Sequence, residues 1–431
     1  MAVDWLTTED ERILALEGPV VAGHTCKVIE LSDAAGLSLE ELRPHIGARL
    51  DAAPQLRRRL EPSVPPRERP AWVDDPAFDI GRHVLELPLG GPVDHDELRD
   101  IVAGLMHARL DRARPLWTIH LVPELAGGGA ALVLRIHHAL ADGPTTMRIC
   151  SAILWEPVAG GGVGPPREAP HRGPRGPSAP QASVSSPTPR AARALDRELR
   201  PASGRSPLEA RISARRAVAF AAAPLADAVR IERSVEGATV NDVLLCAVAG
   251  GLRRGLPGGT TLPRLRAKVP VSMHRPDDGA GVANRDSFFC VDLDVSEEDP
   301  MKRLDAIHLG TTERKVGGDA SVLDALLNRG PRRFAPLSRL AARWSMSPRV
   351  FALNVSNVRG PAEPLAVIGR PVRAVYALAE VAKRHALRVA CLSASGQVTF
   401  GLCADAEALE DLDAIAAGIE AEIGGLLARS I

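Results

Sequence analysis

The densest polar stretch of the sequence is Arg135-Ile136-His137-His138-Ala139-Leu140-Ala141-Asp142-Gly143, directly after the apolar run 130–134. An imidazole suits general-base chemistry because its unperturbed pKa lies near neutrality. Adjacent strand residues point to opposite faces, so one of the two histidines can serve a given channel while the other packs elsewhere. Asp142 can fix ring or loop geometry, and Gly143 permits a close backbone approach. Taken alone, a histidine pair is more often an accident of the core or surface than a site. Zinc is a poor fit, because H-H-x-x-x-D lacks a second helical pair and no soft ligands stand nearby. No G-x-S-x-G elbow occurs, which argues against a serine hydrolase.

The elements that must position these residues follow from periodicity. A strand over 130–137 delivers the histidines at its end, and a helix opens at Gly143 with Pro144 suited to its first position. Upstream, strands are predicted at 26–31, 83–87 and 117–122, with helices at 38–50 and 94–110. The stretch 158–207 is dense in Pro, Gly and Ser, and reads as a linker that cannot bury enough apolar surface to offset its ordering entropy. Downstream, strands are predicted at 217–222, 265–271, 287–293, 350–355, 372–377, 386–393 and 398–403. Helices are predicted at 239–252, with Thr239 as N-cap, and at 301–308, 320–327, 335–344 and 406–427. Both halves are therefore α/β, divided as 1–157, 158–207 and 208–431.

Bulk properties narrow the function. Acidic and basic residues balance at 53 each, which argues against a nucleic-acid binder held by broad positive charge. The six cysteines form no C-x-x-C pair, so buried thiols in a reducing compartment are expected rather than a disulfide framework or a metal site. No run approaches the ~18 apolar residues of a membrane span, and residues 1–18 carry early acids with no apolar signal core. A cytoplasmic chain is expected, with loose contact at a membrane or lipid-droplet surface left open.

The stretch His137–Gly143 matches the H-H-x-x-x-D-G pattern of acyl-thioester-dependent acyltransferases, shared by the condensation domains of nonribosomal peptide synthesis and present in a shorter form in chloramphenicol acetyltransferase. Further stretches resemble one branch, the wax ester synthase/diacylglycerol acyltransferases. Leu110-Asp111-Arg112-Ala113-Arg114-Pro115-Leu116-Trp117 resembles the family's L-D-R-x-x-P-L-W segment. Thr239-Val240-Asn241-Asp242-Val243 resembles its T-x-N-D-V helix, Pro270-Val271-Ser272 its P-V-S turn, and Ser356-Asn357-Val358-Arg359-Gly360-Pro361 its S-N-V-x-G-P segment. Asp10, Leu14 and Glu17 fall where the family carries D-x-x-F-L-x-x-E. The chain departs at Ile13, where an aromatic is usual, and at Ala283-Asn284, where the family has Gly-Asn. These departures bear on acyl and acceptor specificity more than on the reaction.

The resemblance implies two chloramphenicol-acetyltransferase-like domains with the active-site channel at their interface. It implies O-acyl transfer from acyl-CoA, a substrate and not a resident cofactor, to the hydroxyl of a diacylglycerol or long-chain alcohol. His138 is then the general base, and His137, Asp142 and Gly143 support it. The other matches keep two readings each. Trp117 and Pro115 fit core packing or the channel, the former being favoured for Trp117. Asn241 and Asp242 fit helix capping or the channel. Asn284 has a channel reading from the resemblance. Asn357 reads first as turn chemistry and Glu17 first as a solvated helix charge. Two competing functions stand beside this one: condensation-type transfer from a carrier protein to an amine or polyketide hydroxyl, and a lipid-binding paralogue without turnover.

Overall fold

The computed structural model describes residues 4–33, 36–64, 69–157, 189–201, 205–258, 262, 264–272, 286–327, 341 and 343–430. Two large mixed sheets carry them. The first runs, edge to edge, Val84–Glu86, Trp117–Val122, Ala130–His137, His24–Leu31, Arg370–Ala379, Leu365–Val367 and Glu156–Pro157. The second runs Asp286–Leu293, Leu265–Ser272, Leu353–Arg359, Leu387–Ala394, Gln397–Asp405 and Arg216–Pro224. A small three-stranded sheet, Asp4–Trp5, Arg69–Asp74 and Arg58–Val64, flanks the N-terminal helix Thr8–Leu16.

The motif strand Ala130–His137 and its antiparallel neighbour His24–Leu31 are buried at every position. Both strands are covered on both faces, which buries even Lys27, Glu30 and Arg135. Ile29 and Leu31 pack under the helix Leu39–Gly47 through Leu42 and Ile46. Cys26 and Val28 pack under the helix His95–His107 through Leu98, Val102 and Met106. Each fully buried Leu or Ile in these layers contributes about 1.5–3 kcal/mol.

The strand Arg370–Ala379 belongs to the second half of the sequence but completes the first sheet. It pairs antiparallel with His24–Leu31 from Val372↔Leu31 to Ala379↔Thr25. The same strand packs against the second sheet, where Thr399 Oγ1 donates to the Val375 carbonyl at 2.6 Å. At Gly401 a Cβ would sit 1.9 Å from the Ala377 carbonyl oxygen, so only a residue without a side chain lets the sheets meet here.

Two expectations change. The stretch 158–207 is not linker throughout, because Pro189–Leu199 is a helix docked on the second half. Its sequence carries helical apolar spacing that the surrounding Pro and Gly obscure. Leu195 and Leu199 pack against Phe288 and Phe351, and Arg197 pairs with the buried Asp319 at 2.9 Å. The strand expected at 350–355 runs instead from Leu353 to Arg359, because its parallel ladder with Leu387–Ala394 continues to Arg359↔Ser393. The helix expected at 335–344 lies largely outside the described residues.

Candidate active site

The motif strand ends at His137, and the helix Gly143–Ile153 begins six residues later. Asp142 is its N-cap: fully buried, it accepts the Thr145 N–H at 2.7 Å. Pro144 in the first turn needs no hydrogen-bond partner for its nitrogen. The loop between is tied at both ends. The His138 N–H donates to the Gly23 carbonyl at 3.0 Å, and the Leu140 N–H to the His137 carbonyl at 2.9 Å.

The two histidines differ as strand alternation requires. His137 is buried, with Nδ1 accepting the Ala139 N–H at 3.1 Å. Its Nε2 faces Glu17 Oε2 at 3.4 Å. His138 is half-buried. Burial pushes its pKa down to about 4 and the Arg388 guanidinium pushes the same way, against the opposing pull of its own backbone and of Asp142. At neutral pH His138 is therefore the uncharged imidazole, the form that can accept a proton.

Gly143 lies against the second sheet: a Cβ there would stand 2.8 Å from Val358 Cγ2. The strand Leu353–Arg359 thus abuts the start of the motif helix. Asn357 lies within this strand and not in a turn, and its Nδ2 donates to Asn241 Oδ1 at 3.4 Å. Asn241 and Asn357 come together on the side of the second half. Asp242 is wholly structural in its contacts. Its buried carboxylate takes the Thr239 N–H and Oγ1 (both 2.9 Å) in a capping box, and Thr311 Oγ1 at 2.6 Å from the helix Pro300–Gly317.

Trp117 is core. Its Nε1 donates to the Leu56 carbonyl at 2.7 Å, and its indole stacks on His83 with ring centroids 4.6 Å apart. Pro115 is buried beside it, its carbonyl accepting the Trp117 N–H at 2.9 Å. Asn284 lies outside the described residues. Glu17 is the clear correction. Its side chain is only 5% exposed, because Arg112 from the L-D-R-x-x-P-L-W segment and His137 enclose it. Burial raises its carboxyl pKa, but the attraction of His137 and of Arg112, which hydrogen-bonds it, outweighs burial and leaves it below the ordinary value.

Two further residues belong to this neighbourhood. Gly23 has φ +76°, and a Cβ on it would lie 2.7 Å from His137 Nε2; a glycine directly before an apolar strand was the available signal. Arg388 lies opposite Asn354 on the neighbouring strand, donates to the Glu380 carbonyl at 3.2 Å and acts electrostatically on His138. Nothing in its local sequence marks it. A cavity of about 230 Å³ lies nearby between the halves, lined by Gly18, Ala22, His107, Arg109, Arg216 and Glu380. Cys150 on the motif helix is buried with its thiol pushed up to about 12, so it offers no thiolate. Among the described residues, no helix is long and apolar enough to cross a membrane.

Comparison with known proteins is consistent along the chain. The model for the wax ester synthase/diacylglycerol acyltransferase catalytic domain matches residues 6–244, and that for the C-terminal domain of the same proteins matches residues 282–426. A protein of Mycobacterium tuberculosis named as a probable diacylglycerol O-acyltransferase is 32% identical over 388 residues, covering 84% of this chain and 82% of the relative. The solved structure of a wax ester synthase/diacylglycerol acyltransferase from Marinobacter aquaeolei superposes with a TM-score of 0.70 at 24% identity, over 99% of each chain. The first condensation domain of the CDA synthetase superposes with a TM-score of 0.60 at 14% identity, over 100% of this chain and 96% of that one. The last two likenesses concern the two-domain α/β fold.

Proposed function

Since the chain belongs to the wax ester synthase/diacylglycerol acyltransferase family and is an acyltransferase, we propose that it moves a fatty acyl group from acyl-CoA to the hydroxyl of a diacylglycerol or a long-chain alcohol, with His138 as general base. The observation that carries this reading is a half-buried, neutral His138 at a strand end, backed by a helix whose N-cap is Asp142. His138 takes the hydroxyl proton as the acceptor oxygen attacks the thioester carbonyl carbon. The tetrahedral intermediate collapses, the carbon–sulfur bond breaks, and the departing thiolate takes the proton back from His138. No acyl-enzyme forms, in keeping with a motif that contains no serine or cysteine. A positioned base supplies about 10²–10⁴-fold, and holding two substrates together and stabilising the oxyanion supply the rest. Acceptors of this kind are water-insoluble, so the reading includes contact with a membrane or lipid-droplet surface.

The test is incubation of the purified chain with labelled palmitoyl-CoA or palmitoyl-carrier protein, each with diacylglycerol, hexadecanol or an amine. Ester formed from palmitoyl-CoA, and lost in His138→Ala, is the expected result. Amide formed only from the carrier protein would transfer the chain to condensation chemistry. Lipid binding with no product from any pair would leave a non-catalytic lipid binder.

A further inference from the structure

The C-terminal end of the helix Thr8–Leu16 reaches the back of the motif. Thr7 and Asp10 start this helix with a capping box, and the chain turns extended at Glu17. Arg112 holds Glu17 Oε2 through Nε at 2.9 Å and Nη2 at 2.5 Å, and also donates to the Leu14 carbonyl at 3.1 Å. Arg109 stands 3.8 Å from Oε1. The same Oε2 faces His137 Nε2. Because His137 Nδ1 accepts the Ala139 N–H, the proton of the neutral ring sits on Nε2, the nitrogen turned toward Glu17. Gly23, without a Cβ, leaves the ring room to take that direction, and its carbonyl accepts the His138 N–H. The His137 ring therefore lies between the Glu17 carboxylate, 3.4 Å from Nε2, and the Ala139 N–H that donates to Nδ1.

We infer that Glu17 is a positioning residue of the transfer reaction, fixing the tautomer and orientation of His137 and through it the loop that presents His138. This rests on the acyl-transfer reading above and extends it to the N-terminal helix. A carboxylate at Nε2 keeps Nδ1 free to accept from Ala139. Without that charge the ring can turn or exchange tautomers, the Ala139 N–H loses its acceptor, and His138 shifts relative to the substrates. A displacement of about 1 Å suffices to cost up to about 10²-fold in rate.

The experiment compares the full-length wild-type chain with Glu17→Gln, which keeps size and an acceptor for Arg112 but removes the charge. Turnover with palmitoyl-CoA and diacylglycerol, thermal melting, and ¹⁵N-histidine NMR are measured on both, with His137→Asn used to assign the His137 resonances. The expected result is kcat lower by about 10- to 100-fold with KM within a factor of about three. Melting should stay within a few degrees, and His137 should change from a single Nε2–H tautomer to a mixture. Unchanged kcat together with an unchanged tautomer would overturn the inference. So would a loss of rate accounted for entirely by a loss of folded protein. The NMR readout needs no substrate, so it judges Glu17 even if palmitoyl-CoA proves not to be a donor.

Discussion

Each half of the molecule places a buried aspartate at the start of a helix with a histidine in its field, yet the two arrangements do opposite things. Asp242 is bonded by its own cap residue Thr239 and by Thr311 from another helix, with His308 Nδ1 3.2 Å from the same carboxylate. It fastens two helices together. Asp142 caps its helix through Thr145 while its charge also acts on His138, a residue of its own loop. That histidine follows the strand end instead of lying on a packed helix, and burial keeps it neutral. The difference lies in where the imidazole sits: His308 bridges two packed helices and holds the fold, whereas His138 follows the end of a buried strand, half-buried and uncharged.

This contrast is broken most directly at the histidines. His138→Ala should lower turnover by roughly 10²–10⁴-fold with melting nearly unchanged, whereas His308→Ala should lower melting and leave kcat within a few-fold. A folded His138→Ala chain that keeps its activity would abolish the contrast. Gly143→Ala comes next. The new methyl meets Val358, so turnover should fall by about one order of magnitude, and Val358→Ala in the same chain should restore much of it. Kinetics on the two single variants and the double variant decide whether contact between the halves sets the motif geometry. Asp242→Asn is expected to act on stability alone, by about 1–3 kcal/mol, because it weakens the bonds that fasten its helix; denaturant melts and kcat measured side by side check this.

The smallest effect concerns pH. Burial pushes His24 down to about 3 and His120 to about 4, alongside His138 at about 4. The unfolded chain protonates these rings near pH 6.5 and the folded chain does not. Their contribution to stability is thus fully present above pH 6.5 and falls as pH drops from there toward 4. Melting temperature should decline over that window, more gently in His138→Ala, while kcat of the wild type stays flat above about pH 5 where His138 is neutral. A kcat that instead falls through pH 6.5 would mean His138 titrates like an exposed ring.

The motif was legible in the sequence because it is contiguous: an apolar strand, two histidines and a capped helix follow one another within 130–153. The α/β character of both halves was equally legible from alternating periodicities. Long-range partners were not. Nothing in residues 8–17 says that Glu17 meets His137, since the contact is made by a helix packing across the motif. The spacing Val372, Ala374, Tyr376 marks a strand without saying which sheet receives it. Asn357 read as a turn because Gly360-Pro361 follows so soon, yet ladder bonds to the neighbouring strand hold it extended. Helix Pro189–Leu199 was masked by the proline-rich residues before it, and strands Arg58–Val64 and Arg69–Asp74 by the Pro65-Pro66 pair between them and the arginines within them.

The strand Arg370–Ala379 also limits how the molecule can move. It sits inside the first sheet, between His24–Leu31 and Leu365–Val367, while its chain is anchored in the other half. Beyond it, Glu380 accepts the Ala22 N–H at 3.2 Å and pairs with Arg216 of the second sheet at 2.6 Å. Parting the halves like a clamshell would strip an interior strand from its ladder, a far greater cost than bending a linker. The two halves are therefore expected to stay docked along this strand and not to swing apart as rigid bodies.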